Sequence, residues 1–124
     1  MHTNLSDKLG LLPGETIVVI NSPQTYLSVL PPFINLKTTF QHSSFIHVFV
    51  TSKAQLQEYL PQITKFLDKK GMVWISWPKK ASKVATDLSD IVIRDTILPT
   101  GLVDVKVAAI DEIWSGLKFV WRKR

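Results

Sequence analysis

The 124-residue sequence contains no cysteine. That absence excludes disulfide scaffolds, thiolate zinc sites, iron–sulfur clusters and thiol nucleophiles. Glycine is scarce, with five in all, and there is neither a Walker pattern nor a glycine cradle for phosphate. Long apolar runs are also missing. The strongest, Ile17–Ile20 and Phe45–Val50, fall far short of the ~20 residues a membrane helix needs. Met1-His2-Thr3-Asn4-Leu5-Ser6-Asp7 does not read as a secretory signal, lacking a basic region followed by an apolar stretch. The expectation is a cytoplasmic protein with no membrane partner. What is there is ordinary: 45% hydrophobic and 20% charged residues argue against disorder, collagen and coiled coil. Residues 1–124 are expected to form one domain, with Lys+Arg 15 against Asp+Glu 10 and a formal charge of +5. That excess permits an anionic partner without naming one.

Along the chain, strand-like and helix-like segments alternate. Leu11-Leu12-Pro13-Gly14 predicts a turn into Thr16–Asn21, a β-branched run without polar alternation that suits a strand buried on both faces. Ser22-Pro23 opens a short helix through Tyr26, Leu27 and Leu30, which Pro31-Pro32 ends. A weaker strand is expected around Leu36–Phe40 and a strong one at Phe45–Val50. Ser52-Lys53-Ala54-Gln55 fits a capping box, followed by Leu56, Leu60, Ile63 and Leu67 at helical spacing. Pro61 inside that pattern predicts a kink or two consecutive short helices, and Gly71 a stop before the strand Met72–Trp77.

After a lysine-rich loop, Thr86 or Asp87 is expected to cap a helix with Leu88, Ile91 and Val92 facing inward, stopped at Leu98-Pro99-Thr100-Gly101. Val103, Val105 and Val107, then Leu117, Phe119 and Trp121, alternate with polar residues, which predicts an antiparallel hairpin. The resulting order, β-α-β-β-α-β-α-β-β, gives an α/β fold: a three-layer, Rossmann-like, mainly parallel sheet with a C-terminal antiparallel hairpin.

That order resembles a shortened, degenerate class I methyltransferase core. Leu12-Pro13-Gly14 and Phe66-Leu67-Asp68-Lys69-Lys70-Gly71-Met72-Val73-Trp74-Ile75 carry the likeness. Nearly the whole chain also resembles a small bacterial family of unknown function, through His47–Ser52, Trp74–Lys80, Val84–Leu88, Gly101–Lys106 and Trp114–Lys118. The methyltransferase pattern departs in the first loop. There the family has an acidic residue and glycines beside the cofactor, and this chain has Asn21-Ser22-Pro23-Gln24. No cofactor is therefore expected.

In an open α/β sheet, ligands bind beyond the carboxyl ends of the strands. That edge is expected to collect Asn21-Ser22, Thr51-Ser52, Ser76–Lys80 and, if the fifth strand is parallel, the Asp111–Gly116 loop. Between positions 69 and 83 lie Lys69, Lys70, Lys79, Lys80 and Lys83 with no acid. Lysines beside a helix start suit phosphate or carboxylate. A solvated charged loop is the plainer alternative. The candidate ligand-binding residues are Trp77, Lys79, Lys80, Lys83, Thr86, Asp87, Trp114 and Ser115.

Trp114 has two readings: a stacking platform for a ligand or partner, or a cap folded onto the core. His47, in mid-strand, suits a hydrogen-bonded core histidine better than a base. His2, His42 and His47 show no metal-ligand spacing. No G-x-S-x-G elbow surrounds any serine. No catalytic or metal residue is assigned, and the expectation is a ligand- or partner-binding protein with a small anionic ligand. The alternatives are a protein partner, a nucleic acid reached through the lysines and Arg122-Lys123-Arg124, and a divergent methyltransferase-like enzyme.

Overall fold

A computed structural model of the chain describes residues 9–10, 14–28, 30 and 35–123. The turn at Leu11–Pro13 and the helix stop at Pro31-Pro32 lie outside those residues. The elements run β1 (Thr16–Ile20), α1 (Gln24–Ser28), β2 (Asn35–Lys37), β3 (Ser43–Phe49), α2 (Lys53–Phe66), β4 (Leu67–Pro78), α3 (Asp90–Ile97), β5 (Leu102–Ala109) and β6 (Trp114–Trp121). Short 3-10 turns occupy Lys80–Ser82 and Leu98–Thr100. The order of elements is the one the sequence predicts, although β2 is shorter and earlier than expected.

The six strands form one sheet in the order β2-β1-β3-β4-β6-β5. β1 pairs parallel with β2 and β3, and β3 with β4; β6 pairs antiparallel with both β4 and β5. Both faces of β1, β3 and β4 are covered, which explains their unbroken apolar runs. One face carries Val18, Ile46, Val48, Val73, Ile75, Trp77, Leu117 and Phe119 against Leu56 and Ile63 of α2 and Ile93 and Ile97 of α3. The other carries Ile17, Val19, Phe45, Phe49 and Trp74 beneath Leu9 and Tyr26 of α1. Each such side chain contributes about 1.5–3 kcal/mol on burial. The fold is thus a Rossmann-like α/β sheet of three layers with an antiparallel C-terminal hairpin.

Several local expectations change. Of the two alternatives at Pro61, two consecutive short helices are not formed: α2 is one helix with Pro61 inside it, and it buries Leu56 and Ile63. Ser52 caps it as expected, accepting from the Gln55 N–H at 3.1 Å, but Gln55 Oε1 reaches the Thr51 N–H at 2.9 Å, one residue further back. The helix passes directly into β4, so Gly71 is a strand residue. Ser43 pairs with Leu67 and Phe45 with Met72. Between those pairs β3 advances 45 − 43 = 2 residues and β4 advances 72 − 67 = 5, so β4 bulges, with Asp68–Lys70 exposed and Gly71 buried against Ser44. α3 is capped by Ser89, whose Oγ accepts from the Val92 N–H at 3.2 Å, and not by Thr86 or Asp87.

Ile91 is exposed rather than inward. So are Val105 and Val107, because the β5 register slips between Asp104 and Lys106 and β5 is an edge strand. Arg94 ties α3 to the sheet, with Nη1 2.9 Å from Asp90 Oδ2 and Nε 2.9 Å from Asp104 Oδ2.

The bulge explains Gly71. A Cβ there would lie 2.9 Å from both the Cα and the carbonyl oxygen of Ser44, backbone atoms that cannot swing aside. Gly71→Ala is expected to destabilise the fold by roughly 1–3 kcal/mol, measured as a drop in the urea midpoint at unchanged slope.

Candidate functional site

The carboxyl edge of the sheet is organised by the hairpin. Because β6 runs antiparallel between β4 and β5, β5 is parallel to β4, and the loop joining β5 to β6 falls at the same edge as the end of β4. The Lys79 N–H donates to the Ile113 carbonyl at 2.6 Å and locks the two loops together. From there the chain turns at Ser82, whose Oγ donates to the Lys79 carbonyl at 2.6 Å, and passes through Lys83 in the left-handed region at φ 63°.

The far end of this loop is tied to α2. Thr86 Oγ1 donates to the Thr51 carbonyl at 2.6 Å and accepts from the Leu88 N–H at 3.1 Å. Asp87 Oδ1 accepts from the Lys53 N–H at 2.8 Å. Asp87 is therefore a helix cap, as its residue type suggested, but for α2 across the crevice and not for the helix that follows it.

Between these two ties lies a cavity of about 650 Å³. Its lining includes Trp77, Lys79, Lys80, Lys83, Thr86, Asp87 and Ser115, seven of the eight residues singled out from the sequence. Trp114 is the exception. In β6, Ser115 is paired with Trp77 and Trp114 with Pro78, and successive strand residues face opposite ways. Trp114 is half-buried on the α1 face, edge-on to Phe49 with ring centroids 5.1 Å apart. Of its two readings, the core cap is the one the fold adopts.

Three lysines and two carboxylates, Asp87 and Asp90, line the cavity, a formal balance of 3 − 2 = +1. Both carboxylates are engaged, Asp87 with the Lys53 N–H and Asp90 with Arg94. The amino ends of α2 and α3 add partial positive charge of roughly half a unit each. No salt bridge to Lys79, Lys80 or Lys83 is among the bonds described. A groove of about 540 Å³ between α2 and α3 has Lys53 and Asp95 in its lining and gathers no comparable charge.

His47 is the hydrogen-bonded core histidine that its mid-strand position suggested, and the structure supplies its partners. His47 is fully buried, with Nδ1 2.7 Å from the Tyr26 hydroxyl and Nε2 2.6 Å from Ser76 Oγ. Its ring stacks on Phe49 at 4.3 Å. A Tyr–His–Ser chain has the types of a nucleophilic site, and all three residues are buried in the core. Burial pushes His47 down to about 3 from 6.5 and raises Tyr26, so both stay neutral and satisfy each other. Among the described residues there is no group of three or more His, Asp or Glu side chains that could hold a metal, and no helix is long and apolar enough to cross a membrane.

No family model matches the chain, and no curated protein matches it. Solved structures do. The chain is similar to LepI in complex with SAM at 14% identity and a TM-score of 0.59, over 95% of this chain and 39% of that one. It is similar to a SAM-dependent methyltransferase from Aquifex aeolicus at 12% identity and 0.63, over 91% and 85%. A TehB-like SAM-dependent methyltransferase from Corynebacterium glutamicum aligns at 11% identity and 0.61, over 98% and 89%. The chain thus spans well under half of LepI's length but most of the other two. At these identities the likeness shows the fold: a Rossmann-like, methyltransferase-like core.

The loop after β1, which the methyltransferase pattern sets beside its cofactor, is built differently here. Asn21 takes the left-handed conformation at φ 59°, and its Nδ2 donates to the Phe49 carbonyl at 3.1 Å. The side chain therefore bridges the ends of β1 and β3. Pro23 supplies no N–H, and its carbonyl accepts from Tyr26 at 3.1 Å to start α1. With no glycine between Asn21 and Gln24, the backbone approach that such a group needs is missing, and these residues do not fit it.

Two outcomes follow from the bonds described. Asp87→Ala leaves the first N–H of α2 without its carboxylate and is expected to cost about 1 kcal/mol, read from chemical denaturation. His47 has a lowered pKa in the fold, so the unfolded chain binds its proton first as pH falls. The stability it supports is complete above about pH 6.5. It then declines by about 1.4 kcal/mol per pH unit below that. Melting curves from pH 7.5 to 4.5 should show this slope, and His47→Gln should flatten it by one proton.

Proposed function

We propose that the protein binds a small anionic ligand, with phosphate or carboxylate chemistry, in the crevice at the carboxyl edge of β4 and β6. Lys79, Lys80 and Lys83 supply the charge, the start of α3 supplies N–H donors, and Trp77 and Ser115 form the floor. The single observation that supports this reading most is the convergence of three lysines on one cavity whose loop is tied by hydrogen bonds at both ends. Chance solvation of a lysine loop needs no such ties. The reading is of a binding protein without catalysis: the polar groups best arranged for acid–base work, His47 and Ser76, are buried, and the first loop is closed by Asn21.

Thermal-shift titration with inorganic phosphate, nucleoside phosphates and small dicarboxylates tests it. At a ligand concentration of about 100 times Kd, the stabilisation is about 2.7 kcal/mol, and Lys79→Ala/Lys80→Ala removes it. The reading fails if none of these anions raises the midpoint, or if the double variant keeps the full shift.

The likeness to SAM-bound and SAM-dependent proteins favours a second reading, a divergent methyltransferase-like enzyme. That reading gains if SAM raises the midpoint and the anions do not. A nucleic-acid partner has less support, since the lysines counted together in the sequence are split between the two ends of β4. It would require binding that weakens steeply with salt.

A further inference from the structure

We infer that the opposite edge of the sheet carries a second anion-binding site, for a small ligand bearing a diphosphate or longer phosphate chain, built from Lys65, Lys69 and Arg122 around Trp121. The two lysine groups that look continuous in the sequence are far apart in the fold. From Met72 to Pro78 there are six steps of β4, and at roughly 3.3 Å per residue these alone hold Lys69 and Lys79 about 20 Å apart. What Lys69 gains instead is a set of new neighbours. The β4 bulge carries it outward beside the end of α2, where Lys65 lies, and beside the end of β6, where Arg122 lies.

These residues line a cavity of about 790 Å³ together with Thr64, Thr100, Gly101 and Trp121, and no acidic residue is in that lining. The formal charge of the wall is +3. The carboxyl end of α2 opposes it with roughly half a negative unit, so the cations prevail. Lys65 Nζ rests 5.2 Å from the centre of the Phe66 ring, a contact worth about 0.5–1 kcal/mol at an exposed site, which an oxyanion readily displaces. The wall itself is firm: the Arg122 N–H donates to the Gly101 carbonyl at 2.9 Å, and Thr100 Oγ1 donates to the Ile97 carbonyl at 2.6 Å.

A second observation is independent of the charge. Trp121 Nε1 is buried and has no hydrogen-bond partner, the only such side-chain atom found among the described residues. A buried donor left unpaired costs about 1–3 kcal/mol, and an unsatisfied group in a native fold calls for a partner. Trp121 lines the same cavity, so its indole reports on a ligand held by the three cations. Three cations and a cavity of this size match a diphosphate better than a lone phosphate.

The experiment follows the four tryptophan indole N–H resonances during titration of the full chain with pyrophosphate. The Trp121 signal is assigned by its loss in Trp121→Phe or, should that variant not fold, by its proximity to Gly101. The expected result is saturable movement of the Trp121 resonance, weakened at least tenfold in Lys69→Ala/Arg122→Ala and unchanged in Lys79→Ala/Lys80→Ala. Lys69, Lys80 and Arg122 are exposed and Lys79 is half-buried, so both pairs leave the core intact. No movement at millimolar pyrophosphate, or the same movement in Lys69→Ala/Arg122→Ala, overturns the proposal, and neither result bears on the crevice at the other edge.

Discussion

The insertion of β6, antiparallel, between β4 and β5 is the constraint on which the candidate site depends. A parallel neighbour of β4 would also send its following loop to this edge, but without the register that fixes it there. With β6 in between, seven residues of β4 from Met72 to Pro78 pair in register with Val120 to Trp114. The register delivers Ile113 to the Lys79 N–H. Gly116 makes the close approach tolerable, since a Cβ there would come within 3.1 Å of Trp74 and Ile110 and 3.2 Å of Ser76 Oγ. One strand pairing thus sets the position of the lysine loop, and the Thr86 and Asp87 bonds fix its other end.

The two faces of the sheet divide the work. On the α1 face, the polar groups of Tyr26, His47 and Ser76 exhaust one another, and Trp114 closes the layer against Phe49. On the α2 and α3 face, the core is wholly apolar until it reaches the carboxyl edge, where Trp77 gives way to lysine. The methyltransferase-like fold keeps its sheet while its first loop is spent on a structural bridge from Asn21 to β3.

The order of elements was legible because long apolar runs and helical spacing survive any choice of partner. Ser52 and Gln55 announced the start of α2 for the same reason, being local. What failed was whatever depended on a neighbour in space. Thr86 and Asp87 had the chemistry of a cap, but their residue types do not say which helix they serve, and Ser89 was overlooked beside them. The alternation of Val103, Val105 and Val107 gave the hairpin strand correctly but not its exposure, since a one-residue slip in an edge strand leaves Val105 and Val107 in solvent. Gly71 read as a helix stop, whereas its real constraint is the backbone of Ser44. Trp114 and Ser115 were grouped as one loop, and the β6 register put them on opposite faces. Seven of the eight candidate residues still share one cavity, since strand ends in an open sheet converge by topology alone. The pairing of Lys69 with Arg122 had no local signal at all.

The central claim is that ligand recognition occurs at the β4–β6 edge and not at the loop after β1. Backbone amide chemical-shift mapping with phosphate and with SAM, run in parallel on the full chain, tests it most directly. The account predicts phosphate-dependent shifts clustered at residues 79–90 and at Ser115, with residues 21–24 unmoved by SAM. Saturable SAM-dependent shifts at residues 21–24, with none from phosphate at the lysine loop, would contradict it.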